Sequence, residues 1–417
     1  MAELKPLRAL HYDPAVAGTL ADVVSPPYDV IDADQRQALV AKSPFNVVGI
    51  DLPVGEDRYD NAAALLDSWK QQGVVTTDAE DALWAMTQDY TGPDGDARTR
   101  RGFFARVRVT DYGPGRIRPH ERTHPGPKED RLRLTRATRA NLSPIFSLYS
   151  DPHDLAWQAL EPHTAGDPWG DVTDPDGTRH RIWRVADPQA VAQAIDALED
   201  TELLIADGHH RYETARVYAD EIGGDGAHRY VLMCLVALED PGLTVFPTHR
   251  LVSGLDAAQQ EALRDAIKRD FEIHQVTRDE IAPPPGDGPL ELGYIDSHHR
   301  QPHRLTLRSQ EIADAALADM PPAYRRLDVG VLETLLLKGA LGLTDDDISH
   351  LDGFGYARDV QQALDLVDSA AYDAAFLVRP TPVQQVREIA ASGQNMPPKS
   401  TYFFPKVLTG LLFNPLT

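Results

Sequence analysis

The sequence predicts an α/β (or α+β) fold in which mixed sheets are flanked by helices. Three observations lead there. Strand-like runs and helical repeats alternate along the whole chain. The composition, 42% apolar and 25% charged, is that of a globular protein. A short buried strand also passes through Asp207-Gly208 directly into a helix. At 417 residues the chain is too long for one ordinary core. Three segments are expected: an N-terminal α/β segment over 1–112, a central domain over 113–310 with the main motifs, and a C-terminal α/β segment over 311–417 packing on the core.

The elements follow from local pattern. Residues 62–72 space apolar positions helically and stop at Gly73, a helix C-cap. Residues 83–90 and 101–109 alternate as strands around a Gly92–Gly95 turn, which predicts a hairpin. Pro114, Pro119, Pro125 and Pro127 are expected to break any long helix over 113–130, with a helix following at 133–141 and a strand at 145–149. Residues 188–198 read as an amphipathic helix and 202–206 as a buried strand. Residues 209–222 read as a helix with Tyr212, Ala215, Ala219 and Ile222 on its apolar face. An apolar strand is expected at 230–237, helices at 257–271, 327–341, 360–367 and 382–391, a strand at 374–378 and a final element at 402–412.

Charge and cysteine usage narrow the function. Lys and Arg total 41 against 64 Asp and Glu, a formal charge of −23. Such a chain repels nucleic acid and anionic membranes overall, although a local basic pocket can still hold an anion. Cys234 is the one cysteine, which excludes an intrachain disulfide and a thiolate zinc cluster; its apolar surroundings make it a core thiol. The start MAELKPLRAL lacks a signal-peptide core, and no run approaches the roughly 18 apolar residues of a membrane span, so a cytoplasmic location is expected.

The strongest chemical signal is Asp207-Gly208-His209-His210-Arg211. Helix-opening amides carry partial positive charge and can hold phosphate or carboxylate. Gly208 lets the backbone approach a ligand, Arg211 offers a planar fork of donors, and His209 and His210 can donate or shuttle protons. Asp207 can hold a metal, orient a histidine or simply cap the helix. A second signal is His120-Glu121 within Arg118–His124, a literal H-E-x-x-H string. Flanking prolines oppose the helix that zinc binding through His120 and His124 needs. A loop reading suits it better: Glu121 as a base on a hydroxyl, His120 beside it, and Lys128, Arg131 and Arg136 neutralising phosphate. Lys399, Ser400 and Thr401 are further donors of the kind a phosphate pocket uses. Ser25–Val30 is a rigid turn bearing Tyr28 and Asp29. Thr248-His249-Arg250 either faces the same pocket or forms an exposed strand end. Neither a Walker A string nor a completed G-x-G-x-x-G occurs.

Five strings taken together resemble one family: SPPYDVI, HERTH with PKEDRLRLTRATRANLSPIFSLY, ADGHHRYETA, RLDVGVLETLLL and MPPKSTYFFPK. They resemble the bacterial and archaeal domain-of-unknown-function family 1015 over nearly the whole chain. The DGHHR turn is in addition similar to the G-H-[HR]-R turn of the ParB/sulfiredoxin-like superfamily, which includes free serine kinases. That similarity implies a ParB/sulfiredoxin-like core with large additional segments, the core lying in the central domain. It implies Glu121 as general base with His120 as its neighbour. Asp207, His209, His210 and Arg211 would form the phosphate and metal end. The expected activity is therefore a serine kinase-like phosphotransferase acting on free serine or phosphoserine. ATP, ADP or pyrophosphate would be the donor, and Mg²⁺, with Asp207 as its ligand, would bridge the phosphates. The alternatives are a phosphatase or other hydrolase using the same pocket, and a non-catalytic nucleotide-binding protein. The implied partner is a small-molecule substrate rather than nucleic acid or membrane, and assembly into a homo-oligomer stays open. The spacing from Glu121 to Asp207 is longer than in the compact kinases.

Overall fold

The computed structural model describes residues 2–92, 95–121, 125–286 and 288–417. Pro93 and Asp94 of the expected hairpin turn, and Arg122, Thr123 and His124 of the H-E-x-x-H string, lie outside the described residues. The chain divides into two compact units. Unit 1 is Met1–Pro119, Thr123–Thr244 and Pro405–Thr417; unit 2 is His120–Arg122 and Val245–Phe404. This partition is discontinuous in the chain and runs across the expected boundaries at 112 and 310. Composition marks loops, but it carries no trace of a remote segment returning to a sheet. Among the described residues, no helix is long and apolar enough to cross a membrane.

Unit 1 is built on a nine-stranded mixed sheet. Its strands are β1 (Leu4–Lys5), β2 (Leu83–Thr91), β3 (Ala97–Arg108), β4 (Ile117–Arg118), β5 (Ile145–Tyr149), β6 (Gly170–Thr173), β7 (Arg179–Val185), β8 (Leu203–Asp207) and β9 (Tyr230–Ala237). The order is β4-β8-β5-β9-β3-β2-β7-β6, with β1 paired to β3. The β4–β8 and β5–β9 pairs are parallel and the others antiparallel. β2 and β3 form the expected hairpin, with Trp84 opposite Phe104 and Met86 opposite Gly102. β9 is buried at every position, which explains its unbroken apolar run.

The helices of unit 1 include α1 (Arg58–Gln71), α2 (Pro125–Thr138), α3 (Pro188–Asp196) and α4 (His209–Ile222). Asp187 caps α3 by accepting from the Ala190 amide, and Pro188 occupies its first turn. One buried cluster joins Phe103, Ala105 and Val107 of β3, Val231, Met233 and Leu235 of β9, Leu203 and Ile205 of β8, Ala190 and Ala194 of α3, and Tyr212 and Ala215 of α4. The period of two on the strands and of three to four on the helices creates this layer. Two sequence expectations fail here. α2 opens at Pro125 rather than after the prolines. A proline in the first turn lacks only an N–H that has no helical partner anyway, so it starts a helix as readily as it breaks one. Ile222, expected on the apolar face of α4, is 55% exposed at the helix end.

Unit 2 carries a six-stranded antiparallel sheet. Its strands are β10 (His249–Val252), β11 (Phe271–Gln275), β12 (Glu291–Asp296), β13 (His303–Leu307), β14 (Phe354–Ala357) and β15 (Ala374–Leu377). They run in the order β11-β13-β12-β15-β10-β14. Its helices include α5 (Ala257–Asp270), α6 (Val360–Asp368) and α7 (Val383–Ala391). α5 starts with a capping box between Asp256 and Gln259. Ala363, Leu364 and Val367 of α6 pack on Leu251, Ile295, Ala375 and Leu377 of the sheet. The helix expected over 327–341 divides into Asp328–Leu332 and a π-helical Glu333–Lys338. Of the element expected at 402–412, only Tyr402–Phe404 is a strand.

Candidate functional site

In unit 1 the strand-to-helix corner forms as the sequence predicts, but its residues have different tasks. β8 ends on Asp207, Gly208 turns the chain with φ +96°, and α4 begins at His209. A side chain at 208 would sit in the disfavoured left-handed region, and its Cβ would lie 2.9 Å from the Arg211 Nε. Gly208, not Asp207, is the N-cap residue, and no side chain among the described residues caps α4. Asp207 therefore does not cap the helix. Its Oδ2 accepts from Arg211 Nη2 at 2.6 Å, and its Oδ1 accepts from Lys406 Nζ at 3.0 Å. Arg211 Nη1 donates to Ser143 Oγ at 2.8 Å and to the Pro144 carbonyl. Both terminal nitrogens of the expected oxyanion fork are thus engaged by protein acceptors, and the buried Nε has no hydrogen-bond partner among the described residues. His209 is buried and His210 half-buried in the first turn of α4.

Arg131, expected on a phosphate, is a buried clamp instead. Its Nη1 donates to the Asp51 carbonyl at 2.6 Å, and Nε and Nη2 donate to Asp130 at 3.0 and 2.7 Å. The guanidinium lies 4.2 Å from the Tyr28 ring centroid. Burial pushes Tyr28 up to about 12 and raises Asp51, with Arg131 and Arg211 pulling Asp51 back down. Tyr28, Asp51, Arg131, Ser143, Arg211 and Thr214 line a cavity of about 40 Å³, enough for water but not for a substrate. Arg136 pairs with Glu221 at the surface, and Lys128 is half-buried in α2.

In unit 2 two of the quoted strings come together. The Met396 amide donates to the His120 carbonyl at 2.7 Å, and Glu121 forms a parallel β-bridge with Met396. The buried His120 ring places Nε2 2.8 Å from Thr401 Oγ1 and 3.6 Å from Glu121 Oε1, with Phe403 edge-on at 6.0 Å. Ser400 is buried and donates its hydroxyl to the Pro397 carbonyl at 2.5 Å. Lys399 takes a left-handed φ of +55°. Arg250 holds this loop: Nη1 donates to the Lys399 carbonyl at 3.1 Å and Nη2 to the Pro398 carbonyl at 3.0 Å. His249 and Arg250 are both buried, so the exposed-strand-end reading fails. Arg250 stacks 5.2 Å from the Tyr356 ring. Burial lowers its pKa, and Tyr356, Glu333 and Glu121 oppose that. Burial also pushes Tyr356 up to about 12. Tyr356 lies in no quoted string, and Glu333, although inside RLDVGVLETLLL, has no role that its spacing assigns.

The described residues do not build a metal site. No group of three or more His, Cys, Asp or Glu is placed to hold an ion among them. Asp207, the expected ligand, is already bracketed by two cations. His124, the second histidine of the zinc alternative, lies outside the described residues.

Solved structures match this chain at low identity. A conserved hypothetical protein from Pyrococcus furiosus is 13% identical with a TM-score of 0.36, covering 71% of this chain and 92% of that chain. A free serine kinase in complex with AMP is 12% identical with a TM-score of 0.36, covering 71% and 88%. SbnI with a C-terminal truncation, from Staphylococcus aureus, is 11% identical with a TM-score of 0.37, covering 73% and 85%. No curated protein matches. The profile described as "Protein of unknown function (DUF1015)" matches residues 4–330. The match spans most of the chain and takes in the first three strings, while MPPKSTYFFPK lies beyond it; the chain belongs to the DUF1015 family.

Proposed function

We propose that this chain is a small-molecule phosphotransferase of the serine-kinase type. It would move a phosphoryl group between a nucleotide or pyrophosphate and the hydroxyl of free serine. The observation that carries the reading is the fixed His120-Glu121 pair. A buried imidazole stands 2.8 Å from Thr401 and 3.6 Å from a half-buried carboxylate, and that carboxylate lies in the field of the Arg250 cation. A carboxylate held in a set orientation is what general-base removal of a hydroxyl proton requires.

Glu121 takes the serine hydroxyl proton as the oxygen forms its bond to the terminal phosphorus of the donor. The bridging P–O bond breaks, and the leaving phosphate departs with that electron pair. Unit 1, taken by itself, carries an anion-holding feature at the start of α4, where helix-opening amides can donate to phosphate oxygens. Arg211 and Arg131 act as positioning residues.

The test is incubation of the purified chain with Mg²⁺, L-serine and ATP, ADP or pyrophosphate, with O-phosphoserine followed by mass spectrometry in both directions. Turnover that falls at least a hundredfold in Glu121→Gln, with an unchanged melting temperature, is expected. Absence of turnover with every donor refutes the proposal. Free phosphate released from phosphoserine without an acceptor points to a hydrolase. Nucleotide binding without any reaction points to a non-catalytic module.

A further inference from the structure

The string RLDVGVLETLLL takes no part in the proposed reaction, yet its first residues border a broad groove of unit 2. That groove measures about 930 Å³, within the range of small-ligand sites. Arg308, Arg325, Arg326 and Arg379 line it, against the carboxylates of Asp328 and Glu388. A local excess of arginine in a chain of formal charge −23 is opposite to the field of the whole molecule.

The four arginines divide by what they touch. Arg379 forms a two-pronged pair with Asp328, 2.7 Å on each prong, and both side chains are nearly buried. This pair fixes the groove floor and neutralises itself. Among the described residues Arg325 has no carboxylate partner; Nε and Nη2 donate to the Met320 and Ala318 carbonyls at 2.7 and 2.6 Å. Arg308 is 46% exposed, with its nearest carboxylate, Glu272, at 4.0 Å. Arg326 is exposed and has no ion-pair partner among the described residues. Glu388 faces its own helix neighbour, accepting from Gln384 at 3.0 Å. Among the described residues, Arg325 and Arg326 therefore border the groove without a carboxylate partner, and Arg308 has one only at 4.0 Å. Arginine forks match the paired oxygens of phosphate and carboxylate groups.

We propose that this groove binds a small organic polyanion through Arg308, Arg325 and Arg326, independently of the phosphotransferase chemistry. The chemistry shared by its ligands is two or more phosphate or carboxylate groups on a scaffold of metabolite size. Arg325, held by backbone carbonyls, sets the orientation. Arg308 and Arg326 close on the ligand from the open side.

The test is hydrogen–deuterium exchange of the full chain, read on peptides covering 305–330 and 379–388, with pyrophosphate, citrate, or sodium chloride at matched ionic strength. Protection of those peptides by pyrophosphate or citrate but not by chloride is expected, the two probes separating a phosphate from a carboxylate preference. In R308E/R326E the concentration giving half-protection should rise at least tenfold. R326Q, a milder change, should raise it severalfold with an unchanged melting temperature. Absent protection, equal protection by chloride, or protection unaltered in both variants overturns the proposal.

Discussion

Lowering the pH from 7 to 5 should destabilise unit 2 through one side chain, His249. It sits on β10 with 1% exposure. Its Nδ1 accepts from the Val378 amide at 3.3 Å, so Nδ1 carries no proton in the folded state. Its Nε2 is buried without a hydrogen-bond partner among the described residues. Burial, and then the adjacent Arg250 charge, pushes its pKa from 6.5 to about 4. The folded state therefore resists a proton that the unfolded chain accepts. The contribution is fully present above pH 6.5, falls as pH drops through 6.5, and is lost by about 4. At about 1.4 kcal/mol per tenfold change, the full loss is roughly 3 kcal/mol, and at pH 5 roughly 2 kcal/mol. Urea unfolding at pH 7 and pH 5, read by hydrogen exchange on peptides of unit 2, measures it. His249→Leu is less stable at pH 7, because the Val378 amide loses its acceptor. Its further loss on going to pH 5 should be smaller than the parent's by roughly 2 kcal/mol. Equal losses in the two proteins would refute the assignment, since the other histidines are common to both.

Three further outcomes follow from the geometry. Gly208→Ala forces a left-handed alanine against the Arg211 guanidinium and should cost about 1–2 kcal/mol in urea unfolding of unit 1; an unchanged midpoint counts against the strained corner. Cys234 is fully buried and pushed up to about 12, so it should resist iodoacetamide at pH 8 until urea is added; prompt alkylation of the folded protein contradicts its placement in β9. Thr401→Val deprives the buried His120 of its 2.8 Å partner and should cost about 1–2 kcal/mol while shifting the pH profile of any phosphoserine formation. An unchanged pH profile would leave Thr401 a purely structural residue.

Local pattern was a sound guide wherever an element's neighbours leave a periodic mark. The helix expected at 209–222 and the strand expected at 230–237 have those bounds in the structure, because strict spacing reports a one-sided or fully buried element. Pro125 and Pro127 misled because a proline's effect depends on its position within the helix, which composition does not give. The arginines misled in a different way. Arg131 and Arg211 read as free forks, yet Asp51, Asp130, Asp207, Ser143 and Pro144 already accept from them. Residue type states what a guanidinium can bind, but only packing states what it meets.

The sequence by itself determined the alternating architecture, the strand–Gly208–helix corner, the acidic balance and the core character of Cys234, because each is written in residues close together in the chain. Tertiary structure decided the rest. It brought Thr401 to His120 across 281 positions, set Arg250 under the 398–399 loop, paired Lys406 with Asp207 and left three arginines around one groove in unit 2. Such contacts depend on where remote segments return to a sheet. That return is fixed by the summed burial of whole elements, so no single string encodes it.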